Sequence, residues 1–393
     1  MMFASQKLIY LLAGLTAANA ANLYVSHTGG NVTTLSLTSS DDETYTLETA
    51  SSLKTCGGSP SWLTLDQASG TLYCTDETLP KGSLTALETS PEGILTEVVN
   101  VPSVGGGVHN VLYQENKIYI GSASISTFAL PLEPSSKELQ TFEFKLLGPP
   151  TDPERQDAPH PHQVLVDPTG EFLLSPDLGM DAIHVYAIDK ASGELTACPN
   201  LNVTGGDGPR HGAFLSQSSQ GGEGGCSGSQ ARAQASSQQL FITNELSNTV
   251  GVYNLTYPAS SGCLSISDET ALSPYPDNEP APKESYVSEV QVYDNFYYVS
   301  NRGDASFGSN EDSIAAFSAQ GSSFLGLASA HGSYPRTFVI NKDGTLVAIG
   351  NQKTANIAII ERDPETGLLG ELVAETTVGG QDEEVTSVVW AEE

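Results

Sequence analysis

Short polar segments interrupt the β-branched runs of this chain, and histidine, arginine and glutamate recur in them. His160 and His162 stand in Pro-His-Pro-His, Arg210 and His211 in Gly-Pro-Arg-His, and Glu245 in Thr-Asn-Glu-Leu. Arg302 follows Asn301 before a glycine, Arg336 follows a proline, and His109 and Asp177 head or end similar runs. Arginine offers a planar fork that fits carboxylate or phosphate. Imidazole moves a proton near neutral pH, and a carboxylate can orient either group. The expected ligand is therefore a small anion. Asp76, Asp177, Glu245, Asn301 and Asn351 are oxygen donors of the kind Ca²⁺ takes, but interleaved guanidinium charges oppose a cation, so no metal is expected. No Gly-x-Ser-x-Gly elbow occurs, and no cysteine falls beside a rim histidine.

The elements that must position these groups are legible around residues 158–186, APHPHQVLVDPTGEFLLSPDLGMDAIHVY. Gln163 to Val166 reads as a strand, and Asp167-Pro168-Thr169-Gly170 as a type I turn. Glu171 to Ser175 returns antiparallel, and Ala182 to Ile188 supplies a third strand. His160, His162 and Asp177 then fall at one edge of the sheet.

This unit repeats. A polar residue precedes an apolar alternation and a returning strand at Ser61, His109, His162, Arg210, Ser288, Arg336 and Thr386, in steps of 48, 53, 48, 78, 48 and 50 residues. The long step holds a Gly/Ser/Gln-rich insertion at 216–239, read as a surface loop; without its 24 residues the step is 54. A period near 50 with four short strands per unit predicts an all-β, seven-bladed β-propeller formed by one domain over residues 21–393. The last unit has one strand, and Asn22 to Ser26 with Val32 to Ser36 supply its missing partners, so N- and C-terminal strands should close the ring beside Ser387 to Trp390. Equal units with complementary halves at the two ends argue against a sandwich or an open solenoid.

In such a ring the first strands line a central channel, and the listed polar positions converge on its mouth. His109, His160, Asp177, His211, Asn301 and Arg336 are candidate substrate-binding residues there. Ser61 and Ser288 leave one side of the mouth uncharged.

The formal charge of −31, from 47 acidic and 16 basic residues, excludes a nucleic-acid partner. Lys7, the apolar run Leu8 to Ala18 and Ala18-Asn19-Ala20 read as a signal peptide over residues 1–20, too short to span a bilayer. Sequons at Asn31, Asn202 and Asn254 agree with a secreted, glycosylated protein. Of five cysteines, Cys56 and Cys74 can meet across one rim; the pairing of Cys198, Cys226 and Cys263 is open.

These segments, with TNELSNTVGVY, VSNRGDASFGSNEDSIAAF and YPRTFVINKDGTLVAIGNQKTANIAIIERDPETGLL, resemble the seven-bladed lactonase propellers. That family includes the fungal 3-carboxy-cis,cis-muconate lactonizing enzymes and bacterial 6-phosphogluconolactonases. The resemblance covers essentially the whole mature chain and is strongest from Pro159 to Leu369. It implies a catalytic set of His162, Arg210, Glu245 and Arg302, and a cofactor-free interconversion of a lactone with an open carboxylate. Arg210 and Arg302 would hold the anion, His162 would donate the proton, and Glu245 would orient Arg210 or His162. The family's characterised enzymes are intracellular, whereas this chain carries export signals. The second function class is a catalytically silent secreted glycoprotein, a binding or surface-antigen propeller.

Overall fold

The computed structural model describes residues 19–40, 44–114, 117–215, 238–259, 262–380 and 382–391. Seven antiparallel sheets of at least four strands follow one another around the ring. We number them as blades by their innermost strands: Val385–Ala391 (blade 1), Pro60–Asp66 (2), His109–Tyr113 (3), Leu165–Val166 (4), Pro209–Leu215 (5), Tyr286–Tyr293 (6) and Pro335–Ile340 (7). The expected all-β propeller is what forms. Among the described residues the only helical pieces are two 3₁₀ turns, Pro276–Asn278 and Gln320–Ser322.

Blade 1 closes the ring as expected. Its innermost strand comes from the C-terminus, and Asn22, Leu23, Tyr24, Val25 and Ser26 face Ala391, Trp390, Val389, Val388 and Ser387. Pairing the two ends removes the open edge that a linear array would expose. Residues 1–18 of the expected signal lie outside the described residues, while Asn19 and Ala20 continue the first strand opposite Ser39 and Thr38. The insertion falls between the first two strands of blade 5. Residues 216–237 of it lie outside the described residues, and Gln239 already pairs with Leu215.

Strand alternation buries one face of each blade against the next. Among the described residues seven apolar clusters result, each shared by two neighbouring blades. Leu23, Val25 and Trp390 of blade 1 meet Leu346, Ile357 and Ile359 of blade 7, for example. At about 1.5–3 kcal/mol for each fully buried large side chain, these interfaces dominate the favourable side of folding. Cys56 is bonded to Cys74, and Cys198 to Cys263 across blades 4 and 5. Closing a loop of 65 residues contributes about 4 kcal/mol in the chain-entropy view. Cys226 lies outside the described residues.

Candidate active site

The innermost strands do not run straight to their ends. Register shifts interrupt the ladder between Pro60 and Trp62, Pro209 and Gly212, Val287 and Val290, and Pro335 and Thr337. The residues skipped are Ser61, Arg210 with His211, Ser288 with Glu289, and Arg336. A bulge releases its residues from pairing and re-aims their side chains, here toward the axis. In blade 4 the same end is held otherwise: Pro161 bridges to Asp177, and the His162 N–H donates to Pro176 O at 2.9 Å. Gly179 makes room for that segment, since a Cβ there would lie 1.8 Å from Ala158 O.

A cavity of about 560 Å³ opens at this end of the ring. His162, Arg210, Glu245, Arg302 and Arg336 all line it, so the structure brings the four expected catalytic residues together. Glu245 is the hub of the floor. Its Oε2 lies 2.8 Å from Arg210 Nε and 2.8 Å from Arg302 Nη2. Its Oε1 takes Arg155 Nη2, from the loop that precedes blade 4. Burial alone would raise the Glu245 pKa, but Arg302, Arg210 and Arg155 hold it down at about 2. Three guanidinium groups around one carboxylate leave the floor with excess positive charge. Arg336 is more loosely held, with Nη2 3.7 Å from Glu77 Oε2 and 3.5 Å from Ser61 Oγ.

Beneath this layer sits a plug of rings. His162 Nδ1 is 3.2 Å from His211 Nε2, and His211 Nδ1 is 3.1 Å from Glu289 Oε2. Trp62 packs against His109 with the rings tilted by 32° and their centroids 4.2 Å apart, and meets His211 edge-on at 5.4 Å. Burial first, then Arg210, His211 and Arg336, pushes the His162 pKa well below its ordinary value. Burial, Arg210 and Arg336 do the same to His211, and burial, His211 and Arg210 to His109. These imidazoles are neutral at neutral pH. His162 therefore faces the cavity as a neutral ring with its Nδ1 engaged. Of its two expected partners Glu245 takes Arg210 and not His162; among the described residues the ion-pair partners of its carboxylate are arginines.

The other expected binding residues divide. His160 and Arg336 line the cavity, His160 at the rim with Nε2 3.0 Å from Asp157 Oδ1. His109 and His211 lie below it in the ring plug. Asp177 and Asn301 turn into their blades. Asp177 Oδ1 accepts the N–H groups of His160 and Met180 at 2.8 and 3.0 Å, and Oδ2 lies 2.9 Å from His184 Nε2. Asn301 Nδ2 donates to Ser313 Oγ at 2.9 Å. The reason is the two-residue period of a strand. At the ends of four of the second strands the first residue of a pair faces the blade and the next faces the mouth: Asp76 then Glu77, Asp177 then Leu178, Asn244 then Glu245, Asn301 then Arg302. All four second members line the cavity.

The side thought uncharged is not so, because Glu77 lines it and accepts from Ser61 Oγ at 2.9 Å. Sequence reasoning also missed Arg155, Glu154 and Asp157, which come from a loop outside the repeat, and Glu289, whose signal was its place beside a rim serine on a first strand. Among the described residues no group of three or more His, Cys, Asp or Glu could hold a metal, and no helix is long and apolar enough to cross a membrane.

A protein of Arthroderma benhamiae named probable 6-phosphogluconolactonase is 27% identical over 365 residues, spanning 91% of this chain and 87% of that one. The 6-phosphogluconolactonase of Bacillus subtilis is 28% identical over 229 residues, 57% of this chain and 56% of the relative. In fold, the chain matches the periplasmic gluconolactonase of Pseudomonas aeruginosa with a TM-score of 0.71 at 22% identity, over 93% of this chain and 99% of that one. The family model described as lactonase, 7-bladed beta-propeller, matches residues 20–386, and the chain belongs to that family.

Proposed function

We propose that this protein hydrolyses a small polyhydroxylated lactone to the open hydroxy acid, and that it does so outside the cytosol. One observation carries the reading: Arg155, Arg210 and Arg302 converge on a single buried carboxylate at the cavity floor, beside the neutral ring of His162. When water attacks a lactone carbonyl, negative charge develops on the carbonyl oxygen. Fixed cations in a partly enclosed site stabilise that oxyanion more than they stabilise the neutral lactone. His162, neutral, accepts the proton of the attacking water and returns one to the ring oxygen as it leaves. The product carboxylate is held by the same arginines until it is released. Glu77, Glu154 and Asp157 at the rim suit hydroxyl groups, so the carbonyl end faces inward and the polyol end outward.

The names of the relatives point to a sugar-acid lactone, with or without a phosphate. Export is supported by the two disulfides and by the exposed positions of Asn202 and Asn254; Asn31 is half-buried and donates to Ser52 Oγ at 2.9 Å. Cleavage before Ala21 would leave the ring closure from Asn22 onward intact.

The test incubates the full chain with glucono-1,5-lactone, its 6-phosphate and 3-carboxy-cis,cis-muconate, with and without EDTA. Acid release above the buffer rate, insensitive to EDTA, is expected for at least one lactone. Turnover of the muconate alone would make the protein a lactonizing isomerase, in which a substrate carboxylate adds to the substrate's own C=C bond and a proton is delivered to carbon. Ligand binding with no turnover would leave a silent binding propeller. Endoglycosidase treatment and N-terminal sequencing of the secreted protein test the export reading.

A further inference from the structure

Glu289 is buried in the channel, and neither the floor cluster nor the rim uses it. Among the described residues no arginine forms an ion pair with its carboxyl group, whose partner is His211. Its Oε1 and Oε2 lie 3.2 and 3.1 Å from His211 Nδ1, and Oε1 accepts the Val290 N–H at 3.2 Å. His211 Nε2 in turn meets His162 Nδ1 at 3.2 Å, and His162 lines the cavity. The chain of heavy atoms is unbroken from a buried acid to the place where substrate would sit. We propose that Glu289, His211 and His162 form one proton relay, with Glu289 as its terminal acid–base group and His162 Nε2 as its outlet. The relay rests on the lactone hydrolysis read above only for its use, not for its existence.

Two hydrogen arrangements fit the same heavy atoms. With Glu289 protonated, its O–H donates to His211 Nδ1, the Nε2–H of His211 donates to His162 Nδ1, and His162 turns an Nε2–H to the cavity. With Glu289 ionised, the Nδ1–H of His211 donates to the carboxylate, the Nδ1–H of His162 donates to His211 Nε2, and His162 turns a lone pair to the cavity. Neither arrangement contains an imidazolium. That matters because burial and the nearby arginines disfavour a charged ring at both histidines. The ring orientation of His211 is held from the side by Trp62 and by His109, 5.4 and 5.6 Å away between centroids.

In hydrolysis the ionised form acts as base. Water adds to the carbonyl carbon and its proton goes to His162 Nε2. The Nδ1 proton of His162 passes to His211 Nε2, and the Nδ1 proton of His211 to Glu289. One negative charge has then left Glu289 and appeared on the tetrahedral oxygen, among the arginines. When the ring C–O bond breaks, the proton returns by the same path to the leaving oxygen, and the carboxylate of Glu289 is restored. No net proton is held by the relay over the cycle.

The charged and titratable groups facing Glu289 are Arg210 and His211 from blade 5 and Arg336 from blade 7; on its own blade, Ser300 Oγ accepts the Glu289 N–H at 2.9 Å. Burial pushes the Glu289 carboxyl up to about 8, with Arg210, the Val290 N–H and Arg336 opposing. The base form therefore grows in as pH rises through that region.

The test has one arm that needs no turnover. In protein labelled with ¹⁵N-histidine, His162 and His211, assigned through single His→Gln variants, are followed from pH 6 to 10. Both rings should stay neutral and exchange the Nε2–H for the Nδ1–H tautomer with one shared midpoint. Glu289→Gln should abolish the exchange, and Glu289→Asp should keep it with a moved midpoint. In the second arm, background-corrected lactone hydrolysis should rise with pH to a plateau in the wild type. Glu289→Gln should lose about 10²-fold in kcat, within the range for general acid–base groups, together with the pH step. Independent titration of either ring, or a tautomer exchange that survives in a folded Glu289→Gln, overturns the relay. A coupled exchange in a protein that opens no lactone would sustain the relay and sink the hydrolase reading instead.

Discussion

Arg302 sets its Nη2 2.8 Å from Glu245 Oε2 although the two residues belong to neighbouring blades. Arg210 reaches the same oxygen from the first strand of blade 5, and Arg155 reaches the other from the loop before blade 4. One carboxylate thus ties three parts of the ring together and sets the charge of the cavity floor.

Glu245→Gln should therefore cost stability as well as activity. Removing the charged partner from buried ions typically costs about 3–5 kcal/mol, because the remaining charge is left uncompensated. The acid limb follows from the same cluster. The folded pKa of about 2 lies below the ordinary 4.5, so the carboxylate's contribution is complete above 4.5 and is lost as pH falls toward 2. Thermal unfolding from pH 7 to 2 should show a steeper acid loss in the wild type than in Glu245→Gln. Parallel curves would show that the cluster does not stabilise the fold.

Arg302→Ala and Arg336→Ala should separate structure from catalysis. Loss of either cation should lower kcat/KM on the lactone by about 10²–10³, the usual effect of deleting an oxyanion-stabilising donor. Only Arg302→Ala should also lower Tm, since Arg336 makes only the looser contacts at 3.7 and 3.5 Å. Unchanged kcat/KM in Arg336→Ala would remove that residue from the site.

His162→Gln should lower kcat with little change in KM, because a proton carrier acts in the transition state and not in ground-state binding. Steady-state kinetics on the same lactone decide this. Full retained activity would end the role given to the ring.

Gly179→Ala should damage the site more than the fold. The added Cβ would sit 1.8 Å from Ala158 O and 2.9 Å from His160 Cδ2, so the Pro-His-Pro-His segment must move. Misplacing a catalytic group by about 1 Å can cost 10²-fold in rate. A fall in kcat with a near-normal unfolding transition is the expected pair of results; an unchanged kcat would show that the segment tolerates the shift.

What the sequence determined by itself was the repeating unit and its consequences. The near-regular spacing of Ser61, His109, His162, Arg210, Ser288, Arg336 and Thr386 once the insertion at 216–239 is set aside, with half-units at the two ends, is enough to specify seven blades, their closure, and one mouth rich in arginine and histidine, because strand alternation and short turns are local properties. Tertiary structure alone decided which polar residues work together. A shift of one position turns a side chain from mouth to blade, which is why Leu178 and Arg302 line the cavity while Asp177 and Asn301 do not. Bulges at Arg210–His211 and Ser288–Glu289 change that parity in ways no spacing announces. The partners of greatest consequence, Arg155 with Glu245 and Glu289 with His211, lie 90 and 78 residues apart in the chain. Charge pairing and proton transfer depend on distance in space and on burial, and both are properties of the closed ring.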